Sequence, residues 1–453
     1  MYNKYAYDKY EDKSVLDEFG NQYKDYLTNG KTERLVVKET IELALKHGFK
    51  PLKDFKSLKK GDKVFDVNKD KNVVLFIIGE EPLTNGINIL GAHIDSPRLD
   101  LKQNPLYEST NFALLDTHYY GGVKKYQWVT IPLALVGVVC KKDGTKVDVN
   151  VGLDKDDPVV GISDLLIHLS ADQMQKPGSK LIEGEQLDVT VGSYPLKGTE
   201  KEAVKANIAK ILNEKYGFDE EDFVSAEIEV VPAMESRDYG LDRSMIAGYG
   251  HDDRVCAYSS LRAILDVEEV KKTACCILVD KEEIGSVGAT GAQSTYFVDV
   301  IAKLISLTED YNDLKLRECL TNSSMLSSDV SAGVDPLFLG VNELNNSAYL
   351  GKGLVLNKYT GSRGKGGCND AMPEFIAKLR KVMDDNNVYF QTSELGKVDQ
   401  GGGGTIAYIL ANYNMNVIDA GVAVLNMHAP MEIISKVDLY EAYLGYKAFL
   451  LNL

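Results

Sequence analysis

Five short clusters of acidic residues and histidine, each at the end of an apolar run, constrain this chain more than any other feature of its sequence. The clusters occupy residues 92–97, 251–253, 282–286, 328–329 and 427–430. Open α/β sheets build their binding sites at the carboxyl ends of their strands, so the five clusters together predict one shared site. They supply enough imidazole and carboxylate side chains for a two-metal hydrolytic centre, with one carboxylate left over as a base.

The apolar pattern predicts an α/β fold, in a chain that is long enough for two domains. Apolar runs at 72–79, 87–93, 275–279, 319–326 and 417–425 predict the strands of a core sheet. Helical spacing at 33–49, 255–267, 294–307, 371–384 and 437–453 predicts helices between and after them. This alternation favours a sheet that is covered by helices on both faces.

The middle of the chain follows a different pattern. Residues 105–231 carry strand-like runs at 128–140, 147–151, 187–191 and 226–231, which acidic and glycine-rich breaks separate. Because this segment lies between two of the clusters, it predicts an inserted, β-rich second domain. We therefore expect a catalytic domain in two parts, at 1–100 and 235–453, and an insert at 101–234.

Charge and cysteine usage exclude several classes of protein. A net charge of −16 argues against nucleic acid as a partner, because phosphate binding needs a basic surface. The longest strongly apolar run, at 131–140, is too short to cross a bilayer, and the polar first residues lack the apolar segment of a secretion signal. The six cysteines form no CxxC pair, which favours reduced thiols and a cytoplasmic location.

Each cluster also has an ordinary structural explanation when it is taken alone. His93 and Asp95 would lie on one face of a strand end, where Asp95 accepts a hydrogen bond from the imidazole of a metal ligand. A histidine in an apolar strand is, however, more often a core residue. Asp252 or Asp253 would bridge two cations, or would cap the helix that follows.

Glu282 and Glu283 are harder to explain without a cation. Two adjacent carboxylates at a strand end repel one another unless a cation or a proton compensates, so one is expected to bind metal and the other to act as a general base. The alternative is a solvated acidic loop. Asp329 and His428 close apolar runs in the same way, and capping and solvation explain all five clusters poorly.

Six motifs run through the chain in a fixed order. They are GAHIDSPRLDLK, YYGG with Trp128 shortly after it, HDDR, DKEEIGS, SSD and MHAPMEI. In these motifs and their order the chain resembles the M18 aminopeptidases, the aspartyl aminopeptidase family of zinc peptidases. The resemblance implies a zinc-peptidase-like mixed sheet sandwiched by helices, with an inserted β-rich dimerisation domain.

The same resemblance implies a role for each cluster. His93, Asp252 and Asp329 would hold one metal ion, and Asp252, Glu283 and His428 would hold the other. Glu282 would be the general base, and Asp95 would orient His93. The family commonly has Asn after the bridging Asp, whereas this chain has Asp253, so Asp253 stays an alternative bridge. We expect the two ions to be zinc, although carboxylate-rich sites also accept manganese and cobalt.

A further implication of the resemblance is a homo-dodecamer built from dimers. In it, His168 from the insert of a neighbouring subunit would reach the active site and stabilise the tetrahedral oxyanion. The apolar residues around it, at 166–169, favour instead a buried histidine on an apolar strand.

The implied activity is hydrolysis of the first peptide bond of a peptide. In the loop at 358–367, Lys358, Arg363 and Lys365 would pair with an acidic side chain of the substrate's first residue, although the family also contains members that prefer neutral residues. A di-zinc carboxypeptidase or amide deacylase is an alternative of similar chemistry. A catalytically silent assembly protein is an alternative of another class, but neither Glu282 nor a ligand is lost here.

Overall fold

The structure is a computed structural model that describes residues 4–453, and the chain forms two compact units. The first unit contains residues 4–95, 236–427 and 431–453, and the second contains residues 96–235 together with 428–430.

The bounds of the helices and strands are as follows. The helices are α1 (Ser14–Asn29), α2 (Glu33–Lys46), α3 (Ala203–Tyr216), α4 (His251–Leu265), α5 (Tyr296–Thr308), α6 (Asp313–Asn322), α7 (Pro373–Asp385), α8 (Ala407–Ala411) and α9 (Lys436–Asn452). The strands are β1 (Lys50–Pro51), β2 (Lys63–Asn68), β3 (Asn72–Ile77), β4 (Ile87–His93), β5 (Arg98–Ser109), β6 (Phe112–Tyr120), β7 (Leu133–Cys140), β8 (Lys146–Val151), β9 (Val189–Gly192), β10 (Ala226–Pro232), β11 (Arg237–Tyr239), β12 (Met245–Gly248), β13 (Thr273–Val279), β14 (Ser324–Ser327), β15 (Ser331–Ala332), β16 (Leu354–Asn357), β17 (Phe390–Thr392), β18 (Asn416–Gly421), β19 (Ala423–Leu425) and β20 (Glu432–Ser435).

The core of the first unit is a nine-stranded mixed sheet in the order β1-β2-β3-β13-β4-β14-β18-β16-β17. β4 pairs in parallel with β13 and with β14, in registers that place Val279 beside His93 and Ser327 beside Gly91. Because the three strands run in the same direction, their carboxyl ends meet at one edge of the sheet. The residues that follow each strand are therefore brought together at this edge.

Complete burial explains the continuous apolar runs of the central strands. β3, β4 and β13 are buried along their whole length, as expected for strands with a covered sheet face on each side. One face of the sheet packs against α1, α2, α4, α7 and α9, and the other packs against α5, α6 and α8. The predicted α/β class, with helices on both faces of a mixed sheet, is confirmed.

The predicted strand at 319–326 is wrong in its first half. Cys319 lies in α6, and the chain becomes extended only at β14, from Ser324. Leu316, Cys319 and Leu320 form the buried face of α6, so a helical apolar face runs directly into a buried strand. Periodicity alone does not separate the two when they are adjacent.

A second, five-stranded sheet of the first unit has the order β11-β12-β20-β19-β15. β19 and β20 are antiparallel neighbours, with Leu425 beside Ile433. The segment that connects them contains residues 426–431, among them the predicted ligand His428.

The second unit is built on an antiparallel six-stranded sheet in the order β8-β7-β10-β5-β6-β9, against which α3 packs. β5, β6 and α3 were not predicted. β5 lacks the apolar pattern of a buried strand, since it begins with charged residues. Its Arg98 is nevertheless buried, because Glu229 of β10 compensates the charge, with Nε and Oε2 3.2 Å apart. Dimerisation through this unit stays a prediction.

No helix within residues 4–453 is long and apolar enough to span a membrane.

Candidate metal centre

The carboxyl ends of β4, β13 and β14 bring three of the predicted clusters together. His93 is the last residue of β4, Asp329 follows β14 by two residues, and the one-turn 3₁₀ helix Glu282–Ile284 follows β13. The backbone at Asp329 passes so close to β18 that a Cβ on Gly421 would lie 1.7 Å from the Asp329 carbonyl oxygen. Glycine at position 421 therefore permits the chain path that carries Asp329.

His93, Asp252 and Asp329 form a buried cluster within the first unit. Each offers one possible ligand atom, and these atoms all lie within 4.8 Å of one another. His93 Nε2 lies 3.1 Å from Asp252 Oδ1. Burial, reinforced by the neighbouring carboxylate of Asp253, raises the pKa of Asp329 well above its usual range. One imidazole with buried carboxylates that repel each other is a donor set that fits a divalent cation such as zinc.

The two adjacent aspartates at the start of α4 have different surroundings. Asp252 and Glu283 also offer oxygens within 4.8 Å of one another, so Asp252 lies close to ligand atoms on both sides. Asp253 Oδ2 instead accepts a hydrogen bond from the backbone N–H of His93 at 3.3 Å, and burial raises the pKa of Asp253.

Asp95 connects the His93 strand end to the Glu282–Glu283 turn. Its backbone carbonyl oxygen lies 3.0 Å and its Oδ1 3.3 Å from His93 Nδ1. The carboxylate also accepts hydrogen bonds from the backbone N–H groups of Glu282, at 3.1 Å, and Glu283, at 3.2 Å. One buried residue thus holds an imidazole and a turn that carries two further carboxylates. The contact with the turn was not predicted, since it depends on β13 lying next to β4 in the sheet.

Glu282 is a spare carboxylate beside this cluster. Its Oε2 lies 3.9 Å from His93 Nε2, and its side chain is mostly buried without being sealed from solvent. A general base for a reaction at the cluster would need a carboxylate this close to the clustered side chains.

Two buried groups next to Asp252 were also missed by sequence reasoning. The backbone N–H of Asp252 donates to Glu432 Oε2 of β20 at 3.0 Å. Arg254 Nε donates to the carbonyl oxygen of Ile94 at 3.2 Å, in the middle of the His93–Asp95 segment. Both residues belong to quoted motifs, MHAPMEI and HDDR, so the motifs contained them although no role was assigned.

His251 is occupied away from the cluster. Its Nδ1 lies 2.7 Å from the Tyr23 hydroxyl and its Nε2 lies 3.1 Å from the Ile246 carbonyl oxygen. Burial lowers the pKa of His251 to about 3, so the imidazole is neutral. Both ring nitrogens are therefore engaged by groups other than a metal.

His428 belongs to the second unit, in the three-residue segment 428–430. Its Nδ1 lies 2.9 Å from the carbonyl oxygen of Gly122, in the YYGG motif. A Cβ at position 122 would come within 3.2 Å of the same nitrogen, so glycine allows this approach. A hydrogen bond from Nδ1 to this carbonyl oxygen fixes the tautomer in which Nε2 is unprotonated.

His168 lies on the surface of the second unit, in the one-turn 3₁₀ helix Ile167–Leu169. The alternative interpretation, a buried histidine on an apolar strand, is wrong. The flanking Ile167 and Leu169 side chains are 69% and 67% exposed, so the apolar run that suggested burial is itself on the surface.

The loop at 358–367 borders a cleft of about 390 Å³ that Tyr359, Arg363 and Lys365 help to line. Lys358 and Lys365 both pair with Asp370, and the two lysines lower the pKa of that carboxyl. Within the described residues 4–453, the Arg363 guanidinium makes no ion pair. Arg363 is therefore the basic group of this loop whose charge stays available to a ligand.

The fold and this cluster define the class of metal-dependent hydrolases. Imidazole and carboxylate side chains that could hold a metal ion converge from strand ends of a mixed α/β sheet and from the start of α4, and a spare carboxylate lies beside them.

Comparison with known proteins defines the family. The chain belongs to the M18 peptidases, since the family model described as aminopeptidase I zinc metalloprotease (M18) matches residues 26–450. A probable M18 family aminopeptidase 1 of Clostridium acetobutylicum is 61% identical over 99% of this chain and 98% of its own length. A counterpart in Thermotoga maritima is 47% identical over 97% of this chain and 96% of its own length. The chain is thus a zinc-dependent metallo-aminopeptidase, and the predicted family is confirmed.

Solved structures agree with this assignment. The crystal structure of the Thermotoga maritima M18 aminopeptidase covers 100% of both chains at a TM-score of 0.97 and 45% identity. That of Clostridium acetobutylicum aminopeptidase I covers 99% of both at a TM-score of 0.94 and 58% identity. A structure titled as the S. cerevisiae mApe1 dodecamer shares the fold, with a TM-score of 0.77 at 20% identity over 96% of this chain and 97% of that one.

Proposed function

We propose that this aminopeptidase removes the N-terminal residue of peptides at a two-metal centre with Glu282 as the general base. The observation that carries the proposal is the buried His93–Asp252–Asp329 cluster with the spare Glu282 carboxylate beside it, 3.9 Å from His93 Nε2. A catalytically silent protein of the same fold would have no need to keep a spare carboxylate in this place.

The proposed ligands of one ion follow from the donor set within the first unit, where His93, Asp252 and Asp329 would hold it. Membership of the M18 family supports Asp252, Glu283 and His428 as the ligands of the other ion. Zinc is the expected metal in both positions, and manganese and cobalt suit the same ligands. When bound, the two ions would lower the pKa of a water molecule and polarise the scissile carbonyl group.

The protein's own side chains would then move the proton. Glu282 takes a proton from the attacking water and later gives it to the leaving amine. Asp95 keeps His93 in one orientation and fixes the backbone of the Glu282–Glu283 turn, so that base and ligands keep their spacing. The carboxylates that surround this position also favour a positively charged α-amine, which supports cleavage at the N-terminus of the substrate.

For the substrate side chain, we propose an acidic residue that pairs with Arg363. Lys358, Arg363 and Lys365 remain the proposed basic loop, but its two lysines already pair with Asp370, so Arg363 has the main part. A guanidinium binds a carboxylate with two parallel hydrogen bonds, which gives both affinity and direction.

Hydrolysis of aminoacyl-arylamides by the zinc-reconstituted chain tests both proposals. The panel contains Asp, Glu, Leu and Lys substrates and an N-acetyl-Asp control. We expect turnover of the free-amine substrates alone, fastest for Asp and Glu. We expect Arg363→Met to raise KM for the Asp substrate by about 10- to 100-fold, the usual range when charge-assisted hydrogen bonding is lost, and to leave the Leu substrate unchanged.

Arg380→Met, which removes an exposed arginine of α7, is the matched control and should leave the whole panel unchanged. Cleavage of the N-acetylated substrate would indicate an amide deacylase. Hydrolysis of an N-acetylated dipeptide with a free carboxyl terminus, without turnover of any arylamide, would indicate a carboxypeptidase. Equal rates for Asp and Leu, with no effect of Arg363→Met, would establish a neutral preference.

We further propose that the chain forms dimers through the second unit and assembles them into a homo-dodecamer, with His168 acting in a neighbouring subunit. Exposed apolar side chains around His168, including Ile167 and Leu169, support a contact surface, because such patches mark interaction sites. The dodecameric mApe1 structure, a relative of the same fold, supports the size of the assembly.

His168→Gln is expected to lower kcat by about 100-fold, the effect of losing one oxyanion donor, in a protein that still assembles. The decisive measurement is co-expression with Glu282→Gln under two different tags, with mass photometry of the mixed complex. If His168 acts in the neighbouring subunit, mixed complexes regain activity that neither variant has alone. Mixed complexes without activity, or full activity in a monomeric fraction, would rule out action between subunits.

A further inference from the structure

The hairpin turn between β2 and β3 lies against the loop that carries Glu282 and Glu283. The turn is tight, because residues 69–71 alone connect Asn68 and Asn72, which are paired in the sheet. β3 is the antiparallel neighbour of β13, so the turn reaches the same edge of the sheet at which β13 ends.

Three side chains of this turn contact the loop. Asn68 Nδ2 donates to the carbonyl oxygen of Ala289 at 2.8 Å, and Asn72 Nδ2 donates to that of Thr290. Lys71 Nζ lies 3.6 Å from Asp280 Oδ2. The turn therefore binds both ends of the loop, its start at Asp280 and its end at 289–290.

The loop is also closed upon itself at these two ends. The backbone N–H of Asp280 donates to the carbonyl oxygen of Thr290 at 3.3 Å, and Thr290 Oγ1 donates to Asp280 Oδ2 at 2.6 Å. Glu282 and Glu283 lie between these residues in sequence, and their backbone N–H groups are fixed by Asp95. Movement of the two paired ends of the loop, at Asp280 and Thr290, would thus also move the carboxylates of Glu282 and Glu283.

Charge strengthens the attachment. Asp280 and Glu33 are fully buried carboxylates, and the nearly buried Lys71 lies between them, with its Nζ 2.7 Å from Glu33 Oε1. Burial, followed by the charge of Glu33, raises the pKa of Asp280 to about 6, while Lys71 opposes this shift. Loss of the lysine would leave two buried carboxylates without this cation, which is strongly unfavourable.

We infer that the hairpin turn 68–72, through the side chains of Asn68, Lys71 and Asn72, is a positioning element for the loop that carries Glu282, the proposed general base, and Glu283, a proposed ligand. None of the turn's residues is placed at the substrate, so they act through the loop. The inference rests on the proposed function, because it takes Glu282 as the base.

The test uses the full chain as Lys71→Met, Lys71→Arg and Asn68→Ala, with Glu282→Gln alongside. We expect Lys71→Met to lower kcat by about 10- to 100-fold, the effect of displacing a catalytic group by a fraction of an ångström to one ångström, with KM nearly unchanged. Lys71→Arg should recover most of the loss, because it keeps the cation. Asn68→Ala should show a smaller decrease, since it removes the hydrogen bond to Ala289 and a longer one to Asn72 within the turn, and leaves the charges in place.

A second readout reports the loop without catalysis. In the cobalt-substituted protein, Lys71→Met should change the visible absorption spectrum, because Glu283 moves with the loop. Lys69→Asn is the matched control, since residue 69 is exposed and has a positive φ of 53° that Asn accepts. It should change neither kcat nor the spectrum.

The possible results distinguish a failure of this inference from a failure of the proposed function. Unchanged kcat per folded molecule in Lys71→Met and Asn68→Ala, with Glu282→Gln inactive, would overturn the inference alone. If Lys71→Met does not fold, Asn68→Ala decides in the same way. Full activity in Glu282→Gln would instead overturn the proposed function.

Discussion

Glu282→Gln is expected to lower kcat by about 1,000-fold, within the range that a general acid–base group contributes, with little change in KM. Glutamine has the size and shape of glutamate, but its amide does not take a proton from water at neutral pH. The backbone N–H of residue 282 would still donate to Asp95, so the turn and the neighbouring Glu283 should keep their places.

The measurement is kcat and KM on the Asp arylamide, together with metal content and thermal midpoint. Glu282→Asp is the matched control, because it keeps the carboxylate and withdraws it by one methylene; its kcat should fall between those of the wild type and Glu282→Gln. Two equivalents of metal and an unchanged midpoint in both variants would show that the loss is chemical. A kcat near the wild-type value in Glu282→Gln would remove Glu282 from the mechanism.

The buried strands of the core were predictable because a strand that is covered on both faces appears in the sequence as a continuous apolar run. β4 has the bounds of the predicted run at 87–93, and β3 and β13 each end within two residues of theirs. Such strands need apolar residues at every position, whatever lies beside them. The predicted strand at 417–425 is divided into β18 and β19, which belong to different sheets, and hydropathy contains nothing that marks this division.

The elements that were missed have compensated charges or little burial. β5 has a buried arginine, whose partner Glu229 is more than one hundred residues away in sequence. α3 buries Val204 as its one fully covered residue, so it has no wide apolar face for periodicity to detect. In both cases the information lies in a neighbouring element and not in the segment itself.

The candidate site was also predictable only in part. The kinds of side chain at the strand ends were predictable. Helix capping and solvation do not explain why so many imidazoles and carboxylates directly follow apolar runs, whereas a shared binding site does. The contacts between clusters depend on strand order. Asp95 meets the Glu282–Glu283 turn because β13 lies beside β4, and the 68–72 turn meets the same loop because β3 lies beside β13. A single sequence does not state which strands are neighbours.

The sequence left Asp252 and Asp253 as alternatives for the bridging aspartate, and the geometry favours Asp252. Asp252 lies close to ligand atoms of both His93 and Glu283, whereas Asp253 accepts a hydrogen bond from the backbone of His93. We therefore expect Asp252→Asn to lose both activity and metal. Its affinity for metal should fall by more than about 100-fold, since removal of an outer hydrogen-bond partner of a ligand already costs 10- to 100-fold.

Asp253→Asn is the matched variant, because it makes the same change one residue further along. It should keep both metal ions and measurable activity while its thermal midpoint falls, since the buried carboxylate that holds the His93 N–H is weakened. Metal content after dialysis and the thermal midpoint with and without a chelator separate the two variants. A metal ion at 100 times its Kd stabilises the folded state by about 2.7 kcal/mol, so chelation should lower the midpoint of the wild type and of Asp253→Asn but not that of Asp252→Asn. The reverse pattern would make Asp253 the bridge.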